Sequence, residues 1–266
     1  MTMKKFLPLA LLAALLLAGA AGQASAALAV ALSSPVQDTP GGQELIFTGT
    51  LTNTDMTSAL YLNDNQFALT GSAAAYLTPD TNTFFANVPG ILAPGASYTG
   101  ELFGVTLSST APPGSYTGNV TFVGGANIFA MGSLAATAFT LILPGASNVC
   151  DTTATLNDGV NPGGTDVIVS FQYGTTTGYG ETTSGTDIGA GSVPVFVSAG
   201  LTGLQPLTTY HYRTVVTSTG GTVYYADQTF TTTAAIPAGS PWALLVLGVL
   251  LAAATSRALT PRRPRS

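Results

Sequence analysis

The chain has 266 residues, of which 46% are hydrophobic and only 7% charged. Between Ala27 and Ala235 lie all twelve acidic residues and a single basic one, Arg213, a formal side-chain charge of −11 that repels phosphate backbones and weakens binding to anionic lipid heads, so nucleic acid is excluded as a partner. One cysteine, Cys150, rules out an internal disulfide, and one cysteine with one histidine is too small a ligand set for zinc.

At the start, Lys4 and Lys5 precede an apolar run from Phe6 to about Ala21, followed by the small residues Ala24, Ser25 and Ala26. A basic start, a short apolar core and a small-residue cleavage pattern predict a secretory signal peptide over 1–26, with Ala24 and Ala26 at the cleavage positions. The run is short for a membrane span and no basic stop follows it. Export through the Sec machinery is expected, with a mature chain that begins at Ala27.

The following stretch of about 210 residues suits two domains of about 100 each. Alternating runs bounded by Gly, Pro, Asn and Asp recur along it, and no stretch of helical period appears, which predicts an all-β chain of sandwiches. In the first half, strands are expected near Ala27 to Leu32, Glu44 to Thr52, Tyr61 to Leu69, Tyr98 to Leu107, Gly114 to Val123 and Ala135 to Leu143. Turns are expected at Pro40-Gly41-Gly42, Asn63-Asp64-Asn65, Pro94-Gly95, Pro112-Pro113-Gly114 and Gly124-Gly125. Strand parity puts Tyr116, Val120 and Phe122 on one face and Thr117, Asn119 and Thr121 on the other. The stretch Ala111 to Val123 is similar to the late strand of Ig-like domains of exported bacterial proteins, which implies an Ig-like sandwich over 27–143.

A boundary is expected at Pro144-Gly145-Ala146-Ser147. Beyond it come Ala154-Thr155-Leu156 with Val160-Asn161-Pro162, Phe171-Gln172-Tyr173-Gly174, the run Leu201 to Arg213, and Gln228 to Thr232. These residues resemble a bacterial fibronectin type III domain over 144–233, with Leu207 where the family has Gly. Leu204, Pro206 and Tyr210 have the spacing of a tyrosine corner, in which Pro fixes the approach to a strand and the Tyr hydroxyl bonds back to it. Past the corner, Tyr210, Tyr212, Thr214 and Val216 should face the core, and His211, Arg213 and Val215 the other side.

The chain closes with Ile236-Pro237, Ser240 and Trp242, an apolar stretch to Ala254, and then Arg257, Arg262, Arg263 and Arg265. No residue from 236 to 256 is charged, a length just sufficient for a hydrocarbon core of about 30 Å, and the arginines should stay cytoplasmic. This tripartite tail over 236–266 resembles the IPTL-CTERM and PEP-CTERM sorting signals, though Ala238-Gly239 and Pro241 stand where the IPTL form has Thr-Leu and Glu. The resemblance implies an exosortase-like membrane protease as partner, removal of the tail, and delivery to the cell surface or to extracellular polymer. A single-span anchor remains the other reading.

For chemistry, His211 is the only candidate base, and its strand parity makes it a solvated residue on the outer face. Lysine is absent between 27 and 235, which removes Schiff-base chemistry and the phosphate-binding loop. Asn63-Asp64-Asn65, and Asp151 with Asp158, are the calcium-like clusters; both read as turn formers. Cys150 reads as a small apolar residue near a strand start. No cofactor, metal or catalytic set is expected. Two functions stay open: a structural or adhesive surface protein, and a carbohydrate-binding module using Tyr61, Tyr76, Phe84, Phe85 and Tyr98 of the first half.

Overall fold

The computed structural model describes residues 27–235. Ala24 and Ala26 of the expected signal peptide, and the expected sorting signal with Ile236, Pro237, Ser240, Trp242, Arg257, Arg262 and Arg263, lie outside the described residues. Among the described residues no helix is long and apolar enough to cross a membrane.

The first half contains β1 (Leu28–Leu32), β2 (Val36–Asp38), β3 (Glu44–Asn53), β4 (Leu60–Leu69), α1 (Ser72–Tyr76), β5 (Leu77–Asp80), α2 (Asn82–Asn87), β6 (Ile91–Leu92), β7 (Ser97–Leu107), β8 (Gly114–Gly125) and β9 (Gly132–Leu143). One sheet has the order β1-β3-β7-β5 and the other β2-β9-β8-β4-β6. The strand β2 runs parallel to β9. The second half contains β10 (Gly145–Ser147), β11 (Thr153–Val160), β12 (Val167–Gly174), β13 (Glu181–Thr182), β14 (Thr186–Gly189), β15 (Val195–Thr202), β16 (Thr209–Ser218), β17 (Gly221–Tyr224) and β18 (Gln228–Thr231). Its sheets are β10-β11-β15 and β13-β12-β16-β17, with β14 on β12 and β18 on β16. The described residues are mostly β, as expected, with two short helices besides.

Each pair of sheets closes over its own apolar cluster, one built from residues between 27 and 143 and one from residues between 146 and 230. Period-2 alternation explains most of it: Tyr116, Val120 and Phe122 of β8 are buried while Thr117 and Asn119 are exposed. Bulges explain the exceptions. Phe47 pairs with Phe103 and Thr48 with Glu101, so Leu102 is the extra residue on β7, and both Leu102 and Phe103 reach the core. The rings of Phe47, Phe67, Phe103 and Phe139 meet there at centroid separations of 4.9 to 6.2 Å.

Two local expectations are corrected. Helices α1 and α2 interrupt the path from β4 to β7, where the sequence shows no helical period; five and six residues make too few turns to display one. Asn63-Asp64-Asn65 is not a turn but lies inside β4. Leu62 pairs with Gly124 and Asp64 with Val123, so Asn63 is a bulge residue. The bulge reverses strand parity and turns Asn65 into the core, where its side-chain N and O have no hydrogen-bond partner among the described residues.

Candidate functional site

The corner residues lie at the entry to β16. Leu204 is buried, Pro206 is half-buried, and the Tyr210 hydroxyl accepts the Gln205 N–H at 2.9 Å. The first sandwich holds a second corner that the sequence reading missed: the Tyr116 hydroxyl donates to the Pro112 carbonyl. Its signal is a proline four residues ahead of a core-facing tyrosine.

Strand β16 then separates its two faces. Tyr210, Tyr212, Thr214 and Val216 are buried, His211 and Arg213 are half-buried on the outside, and Val215 is buried although it shares their face. His211 Nδ1 is 2.8 Å from Asp227 Oδ2, and the Tyr179 hydroxyl donates to Asp227 Oδ1 at 3.0 Å. The hydrogen bond with His211 is the main influence holding the Asp227 carboxyl below the usual carboxylate range. Arg213 Nε and Nη2 donate to Gln172 Oε1 at 3.0 and 2.8 Å. Its guanidinium lies 4.5 Å from the Tyr179 ring centre and 4.1 Å from that of Tyr224, between two electron-rich faces. Tyr179 reaches this place from a left-handed backbone, φ 58°. The cluster ties the loop after β12 to β16 and to the segment before β18. His211 is thus not merely a solvated strand residue, and Asp227, 16 positions away, had no local signal.

At the junction of the two sandwiches two carboxyl groups converge. Asp38, at the end of β2, is exposed as a whole residue, but its carboxylate presses on Gly159: a Cβ at Gly159 would come within 2.1 Å of Asp38 Oδ1. Neighbouring Asp158 is 5% exposed, takes the Gly159 N–H on Oδ1 at 2.8 Å and the Thr214 hydroxyl on Oδ2. Burial, and then the charge of Asp158, push the Asp38 carboxyl up to about 6, and burial raises Asp158 as well. Asp158, expected to be a turn former, is an interior strand residue, and Asp151 is half-buried elsewhere. Among the described residues no three His, Cys, Asp or Glu side chains come together. A cleft of about 490 Å³ opens beside Asp38, lined by Ser33, Gln37 and Thr48 of the first sandwich and Asn161 and Ser192 of the second.

The aromatic side chains considered for sugar stacking are dispersed. Phe84 is buried against Phe122, Tyr76 meets Tyr116 edge-on at 5.8 Å, and the Tyr98 hydroxyl donates to the Glu101 carbonyl at 3.2 Å. Tyr61 is half-buried, and Phe85 is exposed with its ring edge-on to Phe84 at 5.3 Å. The five form no flat exposed row. Cys150 is exposed, contrary to its reading as a small apolar residue, with its N–H on the Thr153 carbonyl and its own carbonyl on the Thr233 N–H.

No family model matches the chain, and no curated protein does. Among solved structures it is similar to the sensor domain of the anti-sigma factor RsgI4 in Pseudobacteroides cellulosolvens, at 25% identity over 34% of this chain and 89% of that one, with a TM-score of 0.29. It is also similar to the FN1–FN3 domains of chicken CNTN1, at 13% identity over 77% of this chain and 66% of that one, TM-score 0.24. A two-domain fibronectin type III segment from chicken tenascin matches at 10% identity over 77% of this chain and 98% of that one, TM-score 0.22. At such scores these likenesses carry no argument about function, and the sandwich fold rests on the strand pairings themselves.

Proposed function

We propose that this is a non-enzymatic exported protein whose two sandwiches act as a structural or adhesive unit at the cell surface, delivered there through the tail at 236–266. The observation that carries the reading is the cluster on β16. The single histidine and the single arginine between residues 27 and 235 are both engaged in bracing strands and a loop: His211 by Asp227, and Arg213 by Gln172 and two tyrosine rings. A surface made largely of hydroxyls supports it further, since exposed Thr and Ser side chains pair across strands at Thr50 with Thr99, Thr52 with Ser97, Thr117 with Thr140 and Thr209 with Thr231. Such ladders stiffen a sheet without charge.

Two measurements test the reading. Glycosidase, esterase and protease substrates should turn over at background rates, and turnover abolished by His211→Ala would make the cluster an active site. In the native host, intact mass of the surface fraction should show a chain that ends near Trp242. A chain still carrying Arg262 to Ser266 would favour a single-span anchor over a sorting signal.

A further inference from the structure

The first sandwich keeps its large exposed apolar side chains at one pole. Ile128, Phe129 and Met131 lie in the loop between β8 and β9, with Phe129 85% and Ile128 62% exposed. Met56, 77% exposed, stands beside Gly95 in the loop after β3, and Ile91 faces Tyr61, which in turn pairs with Gly125. Of this group's counterparts elsewhere in the first half, only Phe85 stands apart among the described residues. The pole lies far from the second sandwich. The β8–β9 ladder starts at Gly114 opposite Leu143 and ends at Gly124 opposite Gly132, which at about 3.4 Å per residue puts the loop roughly 35 Å from the junction.

The loop is held open in a particular way. Asn63, the bulge residue of β4, donates from Nδ2 to the carbonyls of Asn127 at 2.9 Å and Ala130 at 2.8 Å. Asn127 Oδ1 accepts the Phe129 N–H at 2.9 Å, and the Asn127 carbonyl also accepts the Ala130 N–H at 3.1 Å. The Asn127 and Ala130 carbonyls and the Phe129 and Ala130 N–H groups are therefore bonded inside the protein, while the side chains of Ile128, Phe129 and Met131 are exposed. No residue between Glu101 and Asp151 is charged, so the loop has no charge to desolvate.

We propose that this pole is a lipid-contacting tip, in which Ile128, Phe129 and Met131 enter the interfacial layer of a bilayer whose headgroups carry no net charge. Charge selects this occupant, and lipid needs no complementary surface. A second copy would bring another strongly acidic chain against the first, and anionic lipid would meet the same repulsion. The chain's own tail departs from the opposite end: Thr233 is bonded to Cys150, at the end of β11 remote from Asp158 and the junction. The tip thus lies at the opposite end of the described residues from Thr233, and it supplies the adhesive contact for the surface function proposed above, on which it rests.

The test places a reporter in the loop of the unprocessed chain from Ala27 to Ser266, by Phe129→Trp with Trp242→Phe removing the natural tryptophan. With phosphatidylcholine vesicles the indole emission should move to the blue and be quenched by lipids brominated in the acyl chain. Adding Ile128→Ser and Met131→Ser should abolish both effects, and phosphatidylglycerol vesicles should give a weaker response. An indole that stays at its aqueous emission with every vesicle overturns the lipid tip and leaves the spacer reading standing. A blue shift that grows with protein concentration in the absence of lipid would overturn it in favour of a second copy. Because the local reporter sits in the loop, insertion of the tail alone changes neither readout.

Discussion

The two sandwiches solve the same corner with opposite hydrogen bonds. In the first, the Tyr116 hydroxyl donates to the Pro112 carbonyl; in the second, the Tyr210 hydroxyl accepts the Gln205 N–H. The difference follows from which backbone groups the approach offers. Five residues ahead of the tyrosine, the Ala111 N–H is taken by the Ser108 carbonyl, so the Pro112 carbonyl is the group at hand, whereas the Gln205 N–H is donated to the tyrosine itself. A tyrosine can serve both because its hydroxyl is donor and acceptor. The corner is thus specified by the ring's place on the core face, and the polarity of its bond by which backbone group of the approach has no other partner.

The cores differ more deeply. Four phenylalanines meet in the first, while the second packs Tyr210 and Tyr212 around Phe230 with aliphatic neighbours. Phe103→Ala removes a fully buried ring from the middle of that quartet and should cost the first sandwich about 3–5 kcal/mol. Calorimetry should then show two transitions, only the first one lowered. A single transition that drops as a whole would mean that the junction couples the two units.

Buried asparagines give the next contrast. Asn157 of the second sandwich donates to the Gly145 carbonyl at 3.0 Å, the Ser147 hydroxyl at 2.8 Å and the Thr155 carbonyl at 3.3 Å. Asn65 of the first has no partner for either side-chain atom among the described residues. Asn157→Leu should therefore destabilise by about 2 kcal/mol, and Asn65→Leu should stabilise by about 1 kcal/mol. Denaturant midpoints at constant slope measure both, and a destabilised Asn65→Leu would show that its amide has a bonded partner after all.

These contrasts mark how far the sequence could be read. Period-2 alternation located the long strands of the first half, because burial of one face repeats over ten residues or so. Asn63-Asp64-Asn65 misled because Asn and Asp are turn residues by local chemistry, and what holds Asn63 in a strand is a pair of carbonyls more than sixty positions away. The cluster on β16 was half legible for the same reason. Parity placed His211 and Arg213 outside, but Tyr179, Asp227 and Tyr224 join them only through the sheet.

Removing either corner bond should weaken its own sandwich by about 1 kcal/mol, since each is one partly buried hydrogen bond. Tyr116→Phe and Tyr210→Phe, each followed by hydrogen exchange, should raise exchange in the first and second sandwich respectively. An effect spread over both would contradict separate corners.

The junction between the sandwiches responds to pH with a definite sign. Folded, Asp38 keeps its proton up to about pH 6, against 3.8 for a free side chain. The folded chain therefore binds more protons than the unfolded one across that window, and stability falls as pH rises through it. Burial raises Asp158 in the same sense, and Tyr212 and Tyr225, which face Asp158, stay neutral throughout. Since water reaches part of the Asp38 carboxyl, screening reduces the loss to about 1 kcal/mol. Stability measured near pH 4 and near pH 7 should differ by less in Asp38→Asn than in the native chain, and an equal difference would remove Asp38 as the cause.

The smallest expected effect lies just past the second corner, at Leu207, where the sequence resemblance to fibronectin type III domains would place a glycine. Its φ is 50°, in the left-handed region, and its side chain is 73% exposed, so it gains little from packing. A left-handed backbone costs a branched L-residue about 1 kcal/mol, and glycine relieves that cost. Glycine also adds freedom to the unfolded chain, which offsets about 0.5–1 kcal/mol of the gain. The N–H of residue 207 still donates to the Thr233 carbonyl at 3.2 Å whichever side chain is present, so no contact distinguishes the two. Leu207→Gly should therefore raise the stability of the second sandwich by a few tenths of a kcal/mol at most, while Leu207→Val should lower it by about 1 kcal/mol, because branching at Cβ makes the same conformation harder to hold. Thermal melts of the two variants side by side test the ordering, and a valine variant as stable as the glycine one would mean that the turn relaxes to negative φ in solution.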